Sequence, residues 1–280
     1  MPTNEDPHGL PDYEEPPITE LVLGVQFEPL PKLLAPQIGL FWADMRKEFP
    51  EVQQQPALEP VVERFGVKQA QVAGAFKLME TPETPRCWLL GENGSQLIQV
   101  QQDRFIRNWR KQTDADAYPR YENIRSAFAA EWKQFAAFVT REKLGDLNVN
   151  QAEVTYINNI RPSGVWETFG QADRVFGLMQ PPTDSASLPP PEDVRFSVRY
   201  VLSAGEKPAG RLHVNVSPAY LRKDGSEVFV MNLTARGAPE GEGFEGALKF
   251  LDRAHRAIVL AFDSLTTDAM HNVWRKKSAK

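Results

Sequence analysis

Two stretches of helical periodicity, each preceded by strand-like alternation, constrain this chain more than any other feature. Residues 121–144 carry Ile124, Phe128, Trp132, Phe135 and Val139 at helical spacing, and Gly145 stands where a left-handed C-cap would end the helix. Residues 244–262 carry Phe244, Leu248, Leu251, Ile258 and Phe262 on one face. A helix with a single apolar stripe must bury it, and the alternating segments upstream supply sheets to receive it.

Those segments recur in order. Residues 18–27 form a mostly apolar run suited to a strand buried on both faces, and residues 35–49, with Ile38, Trp42 and Met45, read as an amphipathic helix closed by Pro50. The Gln- and Pro-rich residues 51–60 read as an irregular connector, and residues 61–79 as strand material broken by Gly66 and Gly74. Residues 86–90 and 95–110 form a hairpin about Gly91-Glu92-Asn93-Gly94, since Asn-Gly supplies the positive φ angles of such turns. After Gly145 the series restarts: a strand at 147–160, a shorter helix at 166–179, and a Pro- and Ser-rich loop at 181–191. Alternating strands follow at 194–202, 211–221 and 227–235, with Lys223-Asp224-Gly225 as a second hairpin turn.

The pattern predicts an α+β protein of two similar halves, residues 18–145 and 146–280, either with separate cores or as one continuous domain. Each half runs strand, helix, antiparallel strands, long helix, and the long helices cover the sheets. Residue identity between the halves is weak, so chance recurrence of common α+β elements is the competing account. Residues 1–17, with Pro2, Pro7, Pro11, Pro16 and Pro17 among acidic side chains, read as a flexible or draped tail.

Composition narrows the function classes. The single cysteine, Cys87, cannot form an intramolecular disulfide, and in the apolar run Cys87-Trp88-Leu89-Leu90 it reads as a buried, inert thiol. No run approaches the roughly 20 apolar residues of a membrane span, and the N-terminus is neither basic nor apolar, so a cytoplasmic protein is expected. A net charge of -5 argues against a dedicated nucleic-acid binder, whose affinity rests on surplus Lys and Arg. Gly241-Glu242-Gly243 before Phe244 has the form of an anion cradle at a helix N-terminus, but Glu240, Glu242 and Glu245 would repel an anion. No Walker-type, zinc-protease or nucleophile-elbow motif is present and no Cys/His cluster suits a metal, so neither a cofactor nor a metal is expected.

Several segments carry a likeness. Pro16-Pro17-Ile18-Thr19-Glu20 with Gly24-Val25-Gln26-Phe27, the stretch ending Asn108-Trp109-Arg110-Lys111, and Ala254-His255 through Leu265-Thr266-Thr267 to His271 and Trp274 are the main ones. Val154 to Ile160 and Ser217-Pro218-Ala219 add to it. Together these resemble an uncharacterised, sporadically distributed prokaryotic family of about this length, with no established activity. Sporadic distribution implies an accessory gene, as in defence or toxin–antitoxin systems.

The candidate binding residues are Arg195, Arg199, His213, Asn215, Asn232 and His255. Alternation sets Leu212, Val214 and Val216 on one face of their strand and His213 and Asn215 on the other, while Arg195 and Arg199 lie opposite Phe196, Val198 and Tyr200. With apolar faces aligned, Arg195, Arg199, His213, Asn215 and Asn232 gather on one polar sheet face, which is either solvated or suited to an anion or an acidic partner segment. His255 falls within the apolar stripe of the last helix. There it is either a half-buried histidine bonded to a neighbouring strand or a group at a cleft between the halves. His271 reads as a helix-end contact and His8 as part of the tail. Residues 103–111 interleave aromatic and basic side chains, which suits nucleic-acid stacking. Strand parity instead makes Phe105 and Trp109 core anchors with snorkelling arginines.

The leading expectation is a non-enzymatic protein-binding or regulatory protein. The alternative is an enzyme or small-molecule binder with a cleft between the halves, which a deep concavity lined by His213 or His255 and a carboxylate would favour. Sheet-mediated nucleic-acid binding ranks last.

Overall fold

The apolar strand β1 (Ile18–Phe27) lies at the middle of a nine-stranded antiparallel sheet, pairing on one side with β5 (Arg104–Arg110) and on the other with β6 (Val149–Ile160). The computed structural model describes residues 9–66, 84–179, 189 and 191–277. Outward from β5 come β4 (Gln96–Gln101), β3 (Arg86–Leu90) and β2 (Glu51–Gln55). Outward from β6 come β9 (Glu227–Gly237), β8 (Lys207–Tyr220) and β7 (Phe196–Ala204). One sheet therefore runs through both expected halves.

The long helices α2 (Tyr121–Arg141) and α3 (Gly243–Leu265) pack on one face of this sheet, with α1 (Ala35–Met45) beside α2. Phe105 of β5 sits among Phe128, Trp132 and Phe135 of α2, its ring stacked 5.0 Å from that of Phe135. Trp132 in turn stacks on Phe244 of α3 at 4.7 Å, joining the two helices. Leu251, Ala254 and Ile258 of α3 are buried as the stripe requires. The buried Arg107 of β5 reaches up to pair with Glu131 of α2.

Glycine is required where a ring of α3 meets the sheet. Gly210 and Gly237 face each other across β8 and β9, and the Phe250 ring of α3 rests on them. A Cβ on Gly210 would lie 2.7 Å from Phe250 Cε2, and one on Gly237 would lie closer still.

Several expectations need correction. Residues 95–110 form two strands, because the chain turns back at Gln102-Asp103; this turn has no glycine or proline, so the apolar alternation runs through it without a break. Residues 51–55 are not irregular but form the edge strand β2, whose exposed side chains need no apolar face and leave no periodic pattern. The helix expected at 166–179 is reduced to a 3-10 segment, Phe169–Arg174, started by a capping box between Thr168 and Gln171. Its aromatic residues pack on Phe229 of β9, so tertiary packing rather than helical periodicity orders them. Residues 61–66 are not a strand, while 67–79 lie outside the described residues, as does the expected loop at 181–191 except for 189 and 191.

The described part of the tail is draped along the fold. Residues 1–8 lie outside the described residues, but Tyr13 is buried against Phe262, His271 and Trp274 and donates its hydroxyl to Asp263 at 2.6 Å. Backbone bonds from Glu14 to Arg275 and from Glu15 to Trp274 fasten the segment beside α4 (Asp268–Val273). His271 is buried in α4, with Nε2 2.9 Å from the Thr266 hydroxyl. Among the described residues no helix is long and apolar enough to cross a membrane.

Candidate functional site

The pinned N-terminal segment roofs a cavity of about 370 Å³ over the middle of the sheet. Tyr156 and Asn158 of β6 and Leu233 of β9 form its floor, and Ile258, Val259 and Phe262 of α3 form an apolar wall. Tyr118, Arg120, Tyr121 and Glu122, at the entrance to α2, form the opposite wall. The first expected half thus supplies one wall and the second supplies the other wall and the floor.

A chain of hydrogen bonds crosses the polar end. The Tyr118 and Tyr156 hydroxyls are 3.1 Å apart, and the Tyr156 hydroxyl is 2.7 Å from His255 Nδ1. The Tyr121 ring stacks flat on the imidazole at 3.9 Å, and its own hydroxyl donates to Asp252 Oδ1 at 2.8 Å. Arg125 holds the same carboxylate, so Tyr121 and therefore the imidazole are fixed from behind.

Burial governs the charges. It pushes the His255 pKa down to about 4, an effect that Glu122 and Asp252 only partly oppose. Burial likewise pushes the Tyr118 hydroxyl up to about 12 and raises Tyr156 and Tyr121, with Asp252 adding to the shift of Tyr121. At neutral pH the Tyr118–Tyr156–His255 chain is therefore uncharged. It can run in either direction, because each hydroxyl both donates and accepts and neutral imidazole has one of each capacity.

The roof is held by charge. Arg120, with a positive φ of 71° at the start of α2, donates to Asp12 Oδ1 at 2.6 Å and to the Tyr13 carbonyl at 3.2 Å. Lys277 donates to the other oxygen of Asp12 at 2.6 Å. Burial alone would raise the Asp12 carboxyl, but Lys277 and Arg120 outweigh it and hold it below its ordinary value.

The expected site residues separate into two places. His255 reaches the cavity. Arg199, His213, Asn215 and Asn232 lie on the opposite face of the sheet, where Arg199 pairs with His213 and Asn215 with Asn232 across neighbouring strands. Arg195 precedes β7 and stays largely exposed, 3.5 Å from Asp193. In residues 103–111, Phe105 and Trp109 are buried on the helix-covered face, so their rings are unavailable for stacking on bases.

Sequence reasoning missed most of the cavity. Tyr156 was accessible through the alternation of β6, which points Val154, Tyr156 and Asn158 the same way. Tyr118, Arg120 and Asp12 lie in irregular segments, where no period fixes their direction. Among the described residues no cluster of His, Cys, Asp and Glu is arranged to hold a metal ion.

Compared with models of protein families, with curated proteins and with solved structures, the chain matches none.

Proposed function

We propose that this protein binds a small organic molecule in the cavity between its halves, the ligand having an apolar body and at least one uncharged hydrogen-bonding group. The observation that carries this reading is the Tyr118–Tyr156–His255 chain at the end of an otherwise mainly apolar cavity. Pockets of roughly 300–1,000 Å³, largely apolar with a few converging polar groups, are the usual form of small-molecule sites. An imidazole with a pKa of about 4 is a weak base at neutral pH, which suits recognition by hydrogen bonding better than proton abstraction.

The sheet order supports the reading of two similar halves meeting at this site. β1 and β6 pair with each other, and each pairs on its far side with the strand that leads towards a long helix, β5 before α2 and β9 before α3. A duplicated unit of this kind leaves its junction as the natural place for a shared cleft. Protein recognition, the other reading the sequence supports, would use the opposite face of the sheet.

Ligand-observed NMR with a library of small aromatic fragments tests the proposal. Fragments bearing a hydroxyl or amide should bind, and Tyr156→Phe should weaken them about tenfold, the size of one lost hydrogen bond. Binding indifferent to Tyr156→Phe, or no fragment binding at all, would count against it.

A further inference from the structure

The face of the sheet away from the helices carries a second arrangement, unrelated to the cavity. Residues 56–66 cross this face without forming a strand. The Leu58 N–H donates to Gln101 Oε1 at 2.8 Å while the Gln101 amide donates back to the Leu58 carbonyl at 2.9 Å, and the Val61 N–H donates to Gln26 Oε1 at 3.1 Å. Arg104 donates to the Glu59 carbonyl and Arg211 to the Arg64 carbonyl at 3.2 Å. The sheet thus reads a polypeptide backbone through side chains, and no strand pairing is involved.

The crossing segment ends in a carboxylate socket. Glu63, with its side chain only 4% exposed, is paired by Arg211, lies 2.6 Å from His213 Nε2 through Oε1 and stands 3.7 Å from Arg236. Burial alone would raise its carboxyl, but His213 and Arg211 outweigh that and hold it below its ordinary range. Phe65 then lies under the Arg211 guanidinium, 4.8 Å from it. Beneath Val61 a cleft of about 40 Å³ runs between Arg104, Gln151 and Arg236. The Gln151 side-chain oxygen is buried there with no hydrogen-bond partner among the described residues.

We propose that this face is a recognition groove for an extended, glutamate-bearing segment of a partner protein, and that residues 56–66 occupy it in the isolated chain. Three features argue for a peptide occupant. Gln26 and Gln101 satisfy backbone N–H and carbonyl groups at fixed positions, the Arg211–His213–Arg236 socket is complementary to one carboxylate, and the segment seated there has that chemistry. The covering contacts are side-chain bonds, and the Glu63 carboxylate is buried, so a competitor displaces the segment only by restoring those bonds, the carboxylate in the socket above all. The buried Gln151 oxygen, without a hydrogen-bond partner among the described residues, lies where a competing segment with a donor side chain at the Val61 position would gain a bond that residues 56–66 do not make.

A labelled synthetic peptide with the sequence of residues 56–66 serves as the probe, measured by fluorescence anisotropy. The Glu63→Ala chain should bind it about tenfold more tightly than the wild-type chain, because its own competitor has lost the carboxylate. The same peptide carrying Gln for Glu63 should bind at least about tenfold more weakly, as should the Glu63→Ala chain with Arg211→Ala added. Equal binding by wild-type and Glu63→Ala chains, or indifference to Arg211→Ala, overturns the proposal. Displacement of the probe by inorganic phosphate or a single-stranded oligonucleotide as readily as by unlabelled peptide would also overturn it, by showing a general anion site. A second measurement needs no variant. In the wild-type chain, saturating peptide should speed hydrogen exchange at the Leu58 and Val61 amides while the β-strand amides are unchanged, and unaltered exchange there overturns the proposal.

Discussion

The Tyr156 hydroxyl lies 2.7 Å from His255 Nδ1, and the Tyr121 ring covers the same imidazole at 3.9 Å, so one histidine in the α3 stripe is fixed by β6 and α2 at once. This relationship couples the cavity to the core. A histidine desolvated in this way resists protonation, and its charge state reports on the integrity of the site.

Acid should therefore weaken the fold in a defined window. His255 titrates near 6.5 when unfolded and at about 4 when folded, so between those values the unfolded chain binds more protons. The stabilising contribution is complete above pH 6.5 and is lost as pH falls towards 4, amounting to about 3 kcal/mol. Urea unfolding across that range should show the loss in the wild-type chain and a correspondingly smaller one in His255→Gln.

Leu251→Ala should cost roughly 2–5 kcal/mol, because it deletes a fully buried side chain from the face of α3 that meets the sheet. His255→Gln should cost less, since the site is half-buried and opens on the cavity. Thermal denaturation of the two variants checks the order. A His255→Gln protein as stable as wild type but unable to bind fragments would identify the histidine as a recognition group.

Removing Glu131 alone should be costly. It leaves Arg107 buried under α2 without its carboxylate, and breaking such a pair typically costs about 3–5 kcal/mol. Replacing both with apolar residues of matching volume should recover most of that loss. Denaturant titration of Glu131→Ala and of the double variant distinguishes an ion pair needed for stability from one whose main cost is its own desolvation.

Gly237→Ala should destabilise by about 1–3 kcal/mol through overpacking against Phe250 and the facing β8 backbone. Adding Phe250→Leu should restore part of the loss, a recovery seen only if the ring is the obstacle. A double-mutant cycle on melting temperatures measures it.

Much of this architecture was legible because it rests on periodicity. The stripe of α3 and the alternation of β8 place Leu251 and His213 correctly with no knowledge of the fold. Pairing is a different matter. Which strand lies beside which depends on loop closure and shape, so nothing in residues 18–27 indicates that β1 would sit between β5 and β6. The candidate site was less legible for the same reason. His255 could be found from its place in a stripe, but Arg120 and Tyr118 are aimed by an irregular segment entering a helix at a positive φ. Glu63 had no local pattern to identify it, since its meaning comes from Arg211 and His213, which lie in another part of the chain.

The central claim is that the cavity beneath the N-terminal segment holds a small molecule. Native mass spectrometry of the protein purified from its native extract tests this most directly, run beside Val259→Trp, which fills the cavity from α3. The account predicts a bound mass of a few hundred daltons or less on the wild-type chain and its loss from a folded Val259→Trp chain. An equal bound mass on both chains would contradict it, as would a wild-type chain that carries no small molecule and binds none of the fragments.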